Sequence, residues 1–553
     1  MSVQLGGRVR ILMALASALL LTLALPNDLL PLGSPLFGVV ALAPLLVAIY
    51  GSPSYKSAAL VGVVFGGVST VLTNFWLLFF QSFSVWTLGS VALAYVGFNA
   101  LLAPFLRAIG SVPRSYRPFA VACGWALYEY LKSVGFLGFP WGLIAYPVHD
   151  LLPLIQFVEI SGVWGLSLLM ALVNALAAEW LGTLVAAPSL KAAAITHLWR
   201  PTAMVATLVV GALAFGAVAL SSPLPADSSV DVALIQHNRN PWETGDLSDA
   251  VETLQRLTDE AIAAAPGQPD LLVWSETALS VPVVGRESYY AQVPRSRPLL
   301  PYLRQLETHL LTGVPWIIGT QPLQAMNAAM VAGPGFVQPR HYGKQHPVPF
   351  AESVPLWEVP FVRRFFTEVI GLQAVWVSGR EPTVFEIPLA DGGLMRFSTP
   401  ICFEDAFPNL SRQFVLAGAD ILMNITNDAW SGTISAETQH FVAAKLRAVE
   451  NRRVLVRTTN AGVTAVIDPH GRVMQQAPLF VETFLRLDIP LYTGELTFYT
   501  RFGDVLPALL GVVVLTVIGL QAWRLRKKTA ARSAPRGARD DSVAQKPSAD
   551  GVR

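Results

Sequence analysis

Residues 203–238, "AMVATLVVGALAFGAVALSSPLPADSSVDVALIQHN", change character partway along. The part from 203 to 220 is apolar and uncharged, close to the run of about 20 helical residues that a bilayer core requires. A Ser/Pro linker follows. Then "VDVALIQHN" alternates as a half-buried strand does. The chain therefore passes here from a membrane region into a globular one.

Upstream, further apolar segments lie at 10–25, 36–50, 57–80, 87–106, 118–134 and 153–186, so that seven spans are expected within residues 1–220. An eighth, 504–523 "DVLPALLGVVVLTVIGLQAW", follows the globular region of 228–490. With 53% hydrophobic and only 14% charged residues, the 553-residue chain has the composition of a membrane protein. Its net charge of +2 gives no footprint for nucleic acid, and its Cys and His spacing fits no metal site. The tail 524–553 is basic, lacks apolar periodicity and is expected to be disordered.

Arg8, Arg10, Lys56, Arg107, Arg114, Arg117, Lys191 and Arg200 all fall on one side if the N-terminus is cytoplasmic, whereas the alternate loops near 26–35, 81–86 and 135–152 carry no Lys or Arg. Seven crossings then put the globular domain outside, and the eighth returns the basic tail to the cytoplasm. Lys132 departs from this pattern, and its long stem can snorkel to the interface. A cleaved signal peptide at 1–26 would leave this topology unchanged.

Within 228–490, expected strands ("DLLVWSE", "PWIIGTQ", "LMRFSTPIC", "DILMNITND", "VLVRTTN", "VTAVIDP") alternate with helices at 248–264, 299–311, 409–418 and 436–453. The pattern predicts a layered α/β domain with buried sheets. Cys402 ends one of these strands. Cys123 lies in the fifth expected span and cannot reach it, so Cys402 is a lone thiol in an oxidising compartment. A buried inert cysteine is one reading. The other is a nucleophile at a strand-to-helix turn, where backbone N–H groups face it. Glu276 closes "VWSE" and Lys344 follows "HYG", which places a carboxylate and an ammonium at two further strand ends.

The ordered set of Glu276 in "VWSET", Lys344 in "YGKQHPVPFAE" and Cys402 in "PICFED" resembles the Glu-Lys-Cys triad of the nitrilase superfamily. With the flanking spans, and with "GFPWG" (138–142), "TNDAWSG" (426–432), "QHFVAAKLRAVENRR" (439–453), "RTTNAG" (457–462), "IDPHGR" (467–472) and "LYTGELTFYTRFGD", the chain resembles the apolipoprotein N-acyltransferase family. The resemblance implies a multi-span helical membrane domain joined to a nitrilase-like αββα sandwich. It implies Glu276 as general base, Lys344 as oxyanion-stabilising cation and Cys402 as nucleophile. Supporting positions are Glu352, Glu404, Phe403, Trp242 and Trp430. Phe403 stands where the family often has Tyr, and "PFAESVP" departs from the commoner Gly-Glu-Tyr form.

The implied reaction moves the sn-1 acyl chain of a phospholipid such as phosphatidylethanolamine, through a cysteine thioester, to the α-amine of a diacylglyceryl-cysteine on an apolipoprotein. It needs no cofactor, and a monomer in the bacterial inner membrane with its catalytic domain facing the periplasm is expected. The alternatives are a membrane-tethered amidohydrolase of the same superfamily and a transporter carrying an inactive outer domain. "VPLWEVPFVRRFF" (354–366) reads equally as an interfacial lid or a core helix, and "GFPWG" as an acyl-chain entry or an aromatic anchor. Glu129 and Glu159, in or near spans, and His440 in "ETQHF" are left without a role in the reaction.

Overall fold

A computed structural model describes residues 5–533 apart from 81–83, 185–187, 225, 227, 241–246, 322, 350–351, 355, 371–375 and 390–391. Six described helices are long and apolar enough to cross a membrane: Gly7–Ala24, Tyr55–Thr73, Val85–Ile109, Val163–Thr183, His197–Ser221 and Val505–Lys527. Their outer faces expose Leu19, Leu60, Leu93, Val210 and Leu515, as lipid-facing surfaces do. The chain is a multi-pass membrane protein.

Two expected spans take a different form. The apolar run 36–50 breaks into Pro35–Gly38 and Ala43–Tyr50. The break is tolerated because Asn174 accepts from the Leu42 N–H (2.8 Å) and donates to the Gly38 carbonyl (2.8 Å), which pairs backbone groups that lipid cannot. The run 153–186 likewise folds back as short helices Leu152–Ile155 and Val158–Ser161, and the long helix starts only at Val163. Its first amide is capped by Glu450 of the globular region, at 2.7 Å. The fifth run forms the helix Arg117–Ser133, within one residue of its expected bounds. Lys132 does not snorkel outward, because its ammonium turns inward to the Trp141 carbonyl (2.5 Å) and the Tyr95 hydroxyl (3.2 Å). At the C-terminus, helix Val505–Ser533 carries ten residues of the expected tail, and the rest of that tail lies outside the described residues.

The globular region is two six-stranded sheets, face to face. One contains β1 (Ser228–Gln236), β2 (Leu271–Trp274), β3 (His309–Thr320), β4 (Leu323–Gly333) and β5 (Val337–Gly343). The other contains β6 (Phe385–Pro388), β7 (Leu394–Ser398), β8 (Ile421–Thr426), β9 (Val454–Thr459), β10 (Ala465–Ile467) and β11 (Val473–Gln476). The final strand, β12 (Thr483–Leu491), returns to the edge of the first sheet, whose order is β12-β1-β2-β3-β4-β5. Alternation along β1 explains the layers. Val230, Val232 and Leu234 enter the core that includes the second sheet, while Ala233 and Ile235 pack with Leu254 and Leu257 of helix Leu247–Ala263. Helices Pro408–Leu416 and Ile434–Asn451 cover the second sheet, which completes an αββα sandwich.

The expected helix at 299–311 stops at Gln305, because Leu310 and Leu311 are taken into β3, paired in parallel with Leu272 and Val273. The short apolar run suits either state, and the sheet claims it.

In the membrane region, helices Tyr55–Thr73 and Ser84–Ile109 cross at Gly62, where a Cβ would sit 2.0 Å from the Asn99 carbonyl oxygen. Gly62→Ala is expected to lower the Tm in detergent by several degrees. Gly97→Ala, with nothing within 4 Å of its Cβ, leaves it level or slightly higher, since Ala favours helix by about 1 kcal/mol.

Candidate active site

The carboxylate of Glu276, two residues beyond β2, is held on both oxygens. Oε1 accepts from Lys344 Nζ (3.2 Å) and Asn327 Nδ2 (2.7 Å), and Oε2 from the backbone N–H of Asn427 (2.9 Å), which comes from the second sheet. Gly313 of β3 makes this route possible, because a Cβ there would lie 2.5 Å from the Glu276 Cα. Lys344 follows β5 directly and is buried. Its ammonium also meets both oxygens of Glu352, at 3.0 and 2.9 Å. Burial opposes its charge, but the carboxylates of Glu276 and Glu352 override that cost and hold its pKa well above the ordinary lysine value. Asn327 donates to Glu352 as well (2.7 Å), and Val348 N–H fixes the other Glu352 oxygen (2.7 Å).

Cys402 opens a short turn, Cys402–Ala406, with φ at +54°, a region that L side chains seldom occupy and that costs about 1–3 kcal/mol. The surroundings pin it there. Asn424 donates to the carbonyls of Cys402 (3.0 Å) and Pro400 (3.1 Å), and Ile401 bridges to Ile425 of β8. Burial, and next the negative field of Glu276, push the Cys402 thiol well above its usual pKa against the pull of Lys344. The resting sulfur is therefore a neutral thiol. It becomes a nucleophile only if a nearby base takes its proton, and Glu276, Lys344 and Glu352 are all close enough to act on it electrostatically.

Glu404 is fully buried and wholly engaged. It accepts from Ile401 N–H (2.7 Å), Gln345 N–H (2.6 Å), His346 N–H (2.9 Å) and the Tyr342 hydroxyl (3.0 Å). It thus ties the Lys344 loop to the Cys402 turn and keeps no oxygen for a substrate. Burial raises its carboxyl to about 7 against these donors. Phe403 faces the membrane domain, where the rings of Phe139 and Trp141 from "GFPWG" lie 6.1 and 6.4 Å away. Trp430 continues this wall against Trp76 (5.8 Å) and Phe80 (5.2 Å). Trp242 lies outside the described residues.

Leu356 and Phe361 are 71% and 78% exposed on the 354–366 segment, so these side chains do not pack into the core. Glu159 pairs with Arg452 at 2.5 Å. Glu129 is buried and accepts from Trp125 (3.0 Å) and the Ile144 N–H (2.8 Å), which anchors the loop after "GFPWG". Asn327 was not among the expected site residues. Its only trace in sequence is a lone amide within the apolar "AMNAAM" of β4. Asn460 of "RTTNAG" was also missed; its side chain receives the N–H groups of Asp428 (2.9 Å) and Ala429 (3.0 Å) and so shapes the loop that supplies the Asn427 amide.

Two family models match the chain, an apolipoprotein N-acyltransferase N-terminal domain over residues 17–176 and a carbon-nitrogen hydrolase domain over 231–497. A protein of Treponema denticola named apolipoprotein N-acyltransferase 2 is 37% identical, covering 93% of this chain and 97% of its own length. Its namesake from Treponema pallidum is 36% identical over 88% and 91%. Among solved structures, an amidase from Nesterenkonia sp. aligns with 51% of this chain and 96% of its own at 20% identity and a TM-score of 0.35.

Glu404→Gln places an amide N–H₂ against backbone donors and is expected to destabilise the fold by about 1–3 kcal/mol, read as a lowered Tm in detergent. Phe403→Tyr adds a hydroxyl to a buried ring packed against Phe139 and Trp141 and is expected to cost about 1–3 kcal/mol, read as a lowered Tm.

Proposed function

Because the chain belongs to the apolipoprotein N-acyltransferase family, we propose that it transfers an acyl chain from a membrane phospholipid to the N-terminal amine of a diacylated apolipoprotein, using Glu276, Lys344 and Cys402. The observation that carries this reading is the Glu276–Lys344 ion pair, from one sheet, within electrostatic reach of the buried Cys402 thiol at the end of the other, with Phe139 and Trp141 of the membrane domain packed on the adjoining Phe403.

The chemistry runs in two halves. Glu276 removes the thiol proton as the sulfur attacks the sn-1 ester carbonyl. Lys344 and the N–H of Phe403 stabilise the oxyanion, and Glu276 returns the proton to the departing lysophospholipid. The acyl group then rests on Cys402 as a thioester. The α-amine of diacylglyceryl-cysteine gives a proton to Glu276, attacks the thioester and leaves as an amide, restoring the thiol. Glu352 and Asn327 keep the Lys344 ammonium aimed between base and nucleophile.

Both substrates are anchored in lipid, and the basic-loop asymmetry supports a catalytic domain on the periplasmic face. The exposed Leu356 and Phe361, followed by Arg363 and Arg364, suit contact with phospholipid headgroups. An amidohydrolase acting on soluble amides has no use for a site walled by Phe139, Trp141 and Trp430.

With labelled phosphatidylethanolamine and a diacylated lipopeptide, the purified protein is expected to form triacylated product. Cys402→Ala abolishes it, and Glu276→Gln slows it by about 10²–10⁴-fold. Full transfer by Cys402→Ala would overturn the assignment.

A further inference from the structure

Beneath the Cys402 turn lies a buried charge cluster that the mechanism above does not use. His440, on helix Ile434–Asn451, places Nε2 3.0 Å from Asp405 Oδ1 and Nδ1 3.1 Å from Asp428 Oδ1. Both neighbours are carboxylates, so both contacts are hydrogen bonds only if both ring nitrogens carry protons. Asp405 belongs to the turn that begins at Cys402, and Asp428 directly follows Asn427, whose N–H fixes Glu276. One imidazole thus spans the segment that bears the nucleophile and the loop that orients the base.

The remaining groups settle its charge. Arg457 of β9 reaches Asp405 Oδ2 and lies 3.5 Å from Asp428 Oδ2. Glu437, one helical turn before His440, accepts from the Ser431 hydroxyl (2.7 Å). Burial first, and then the Asp428 charge, hold the Glu437 carboxyl neutral, far above its usual range. Asp405 and Asp428 are then two anions facing Arg457, and a second cation balances the site. From the membrane side the Trp141 ring lies 5.5 Å away. Burial alone would strip the proton from His440, but the carboxylates of Asp428 and Asp405 outweigh it and the repulsion of Arg457, raising the pKa to about 9.

We propose that His440 is a positioning residue, an imidazolium staple that locks the Cys402 turn through Asp405 to the Asn427 loop through Asp428 and so keeps thiol and base in register. The proposal rests on the reading of Cys402 as nucleophile. Since the folded pKa lies above the unfolded value near 6.5, the staple is complete below that pH and is lost as pH rises through about 9.

Two measurements on the full-length protein in detergent test it. Mass-spectrometric hydrogen–deuterium exchange at histidine C2, on the wild type, is expected to titrate His440 with a midpoint near 9; a midpoint at or below about 6.5 would overturn the proposal without any variant. Single-turnover acylation by phosphatidylethanolamine is expected to fall above pH 9 in the wild type. In His440→Gln it slows by about 10²-fold, as a misplacement near 1 Å does, and loses that alkaline limb. A wild-type rate and limb in His440→Gln would defeat the staple, even if the exchange midpoint is high. A wild type that never acylates would instead defeat the nucleophile reading on which the staple depends.

Discussion

Every residue from Ser435 to Asn451 is buried, although this helix carries Glu437, Gln439, His440, Lys445, Arg447 and Glu450. A helix enclosed all round is ordinarily apolar. This one is wedged between the second sheet and the membrane domain, so each polar group must find a partner in one or the other, because an orphaned buried charge costs several kcal/mol. Gln439 accepts from Trp141 (2.7 Å) and Trp76 (3.2 Å) and donates to the Pro26 carbonyl (2.8 Å). Lys445 pairs with Asp150, and Glu450 caps the helix that begins at Val163. Arg447, fully buried, meets Glu450 (3.0 Å) and the Ala406 carbonyl (3.2 Å). These contacts leave the two halves of the protein a single register.

That register gives the site its form. Glu276 and Lys344 come from one sheet, Cys402 from the end of the other, and the rings packed on Phe403 from a membrane loop. Lys344 is the pivot among the charges: two carboxylates keep it cationic in a place where burial alone would not. Burial first, and next the Glu276 carboxylate, keep the Cys402 sulfur protonated at rest. In the proposed mechanism this arrangement spares the thiol from oxidation until an ester arrives, and it requires a base within the site. In that mechanism the membrane domain takes part as well, since Phe139 and Trp141 pack on Phe403, the residue after Cys402.

Much of this was legible from residue types alone. Glu276, Lys344 and Cys402 each close a run with strand character, and the alternation of "VDVALIQHN" against the apolar stretch before it marks the domain junction. What escaped was whatever depends on pairing across the fold. β12, "TFLRLDIPL", mixes Arg486, Asp488 and Pro490 into an edge strand, and only its partner β1 makes it recognisable. The broken helices at 35–50 and 152–161 look like continuous spans because the amide and carboxylate that mend them, Asn174 and Glu450, lie more than a hundred residues away. The lone amide of Asn327 and the helix position of His440 say little by themselves, and their meaning comes from carboxylates brought in from other elements.

The central claim is that Cys402 holds an acyl group between two lipid-anchored substrates. Intact-protein mass spectrometry after incubation with phosphatidylethanolamine tests it most directly. The account predicts a hydroxylamine-sensitive acyl adduct on the wild type and none on Cys402→Ala, discharged by a diacylated lipopeptide and stable to water. An adduct that water releases as fast as the lipopeptide does, or none at all on lipid-exposed protein, would contradict it.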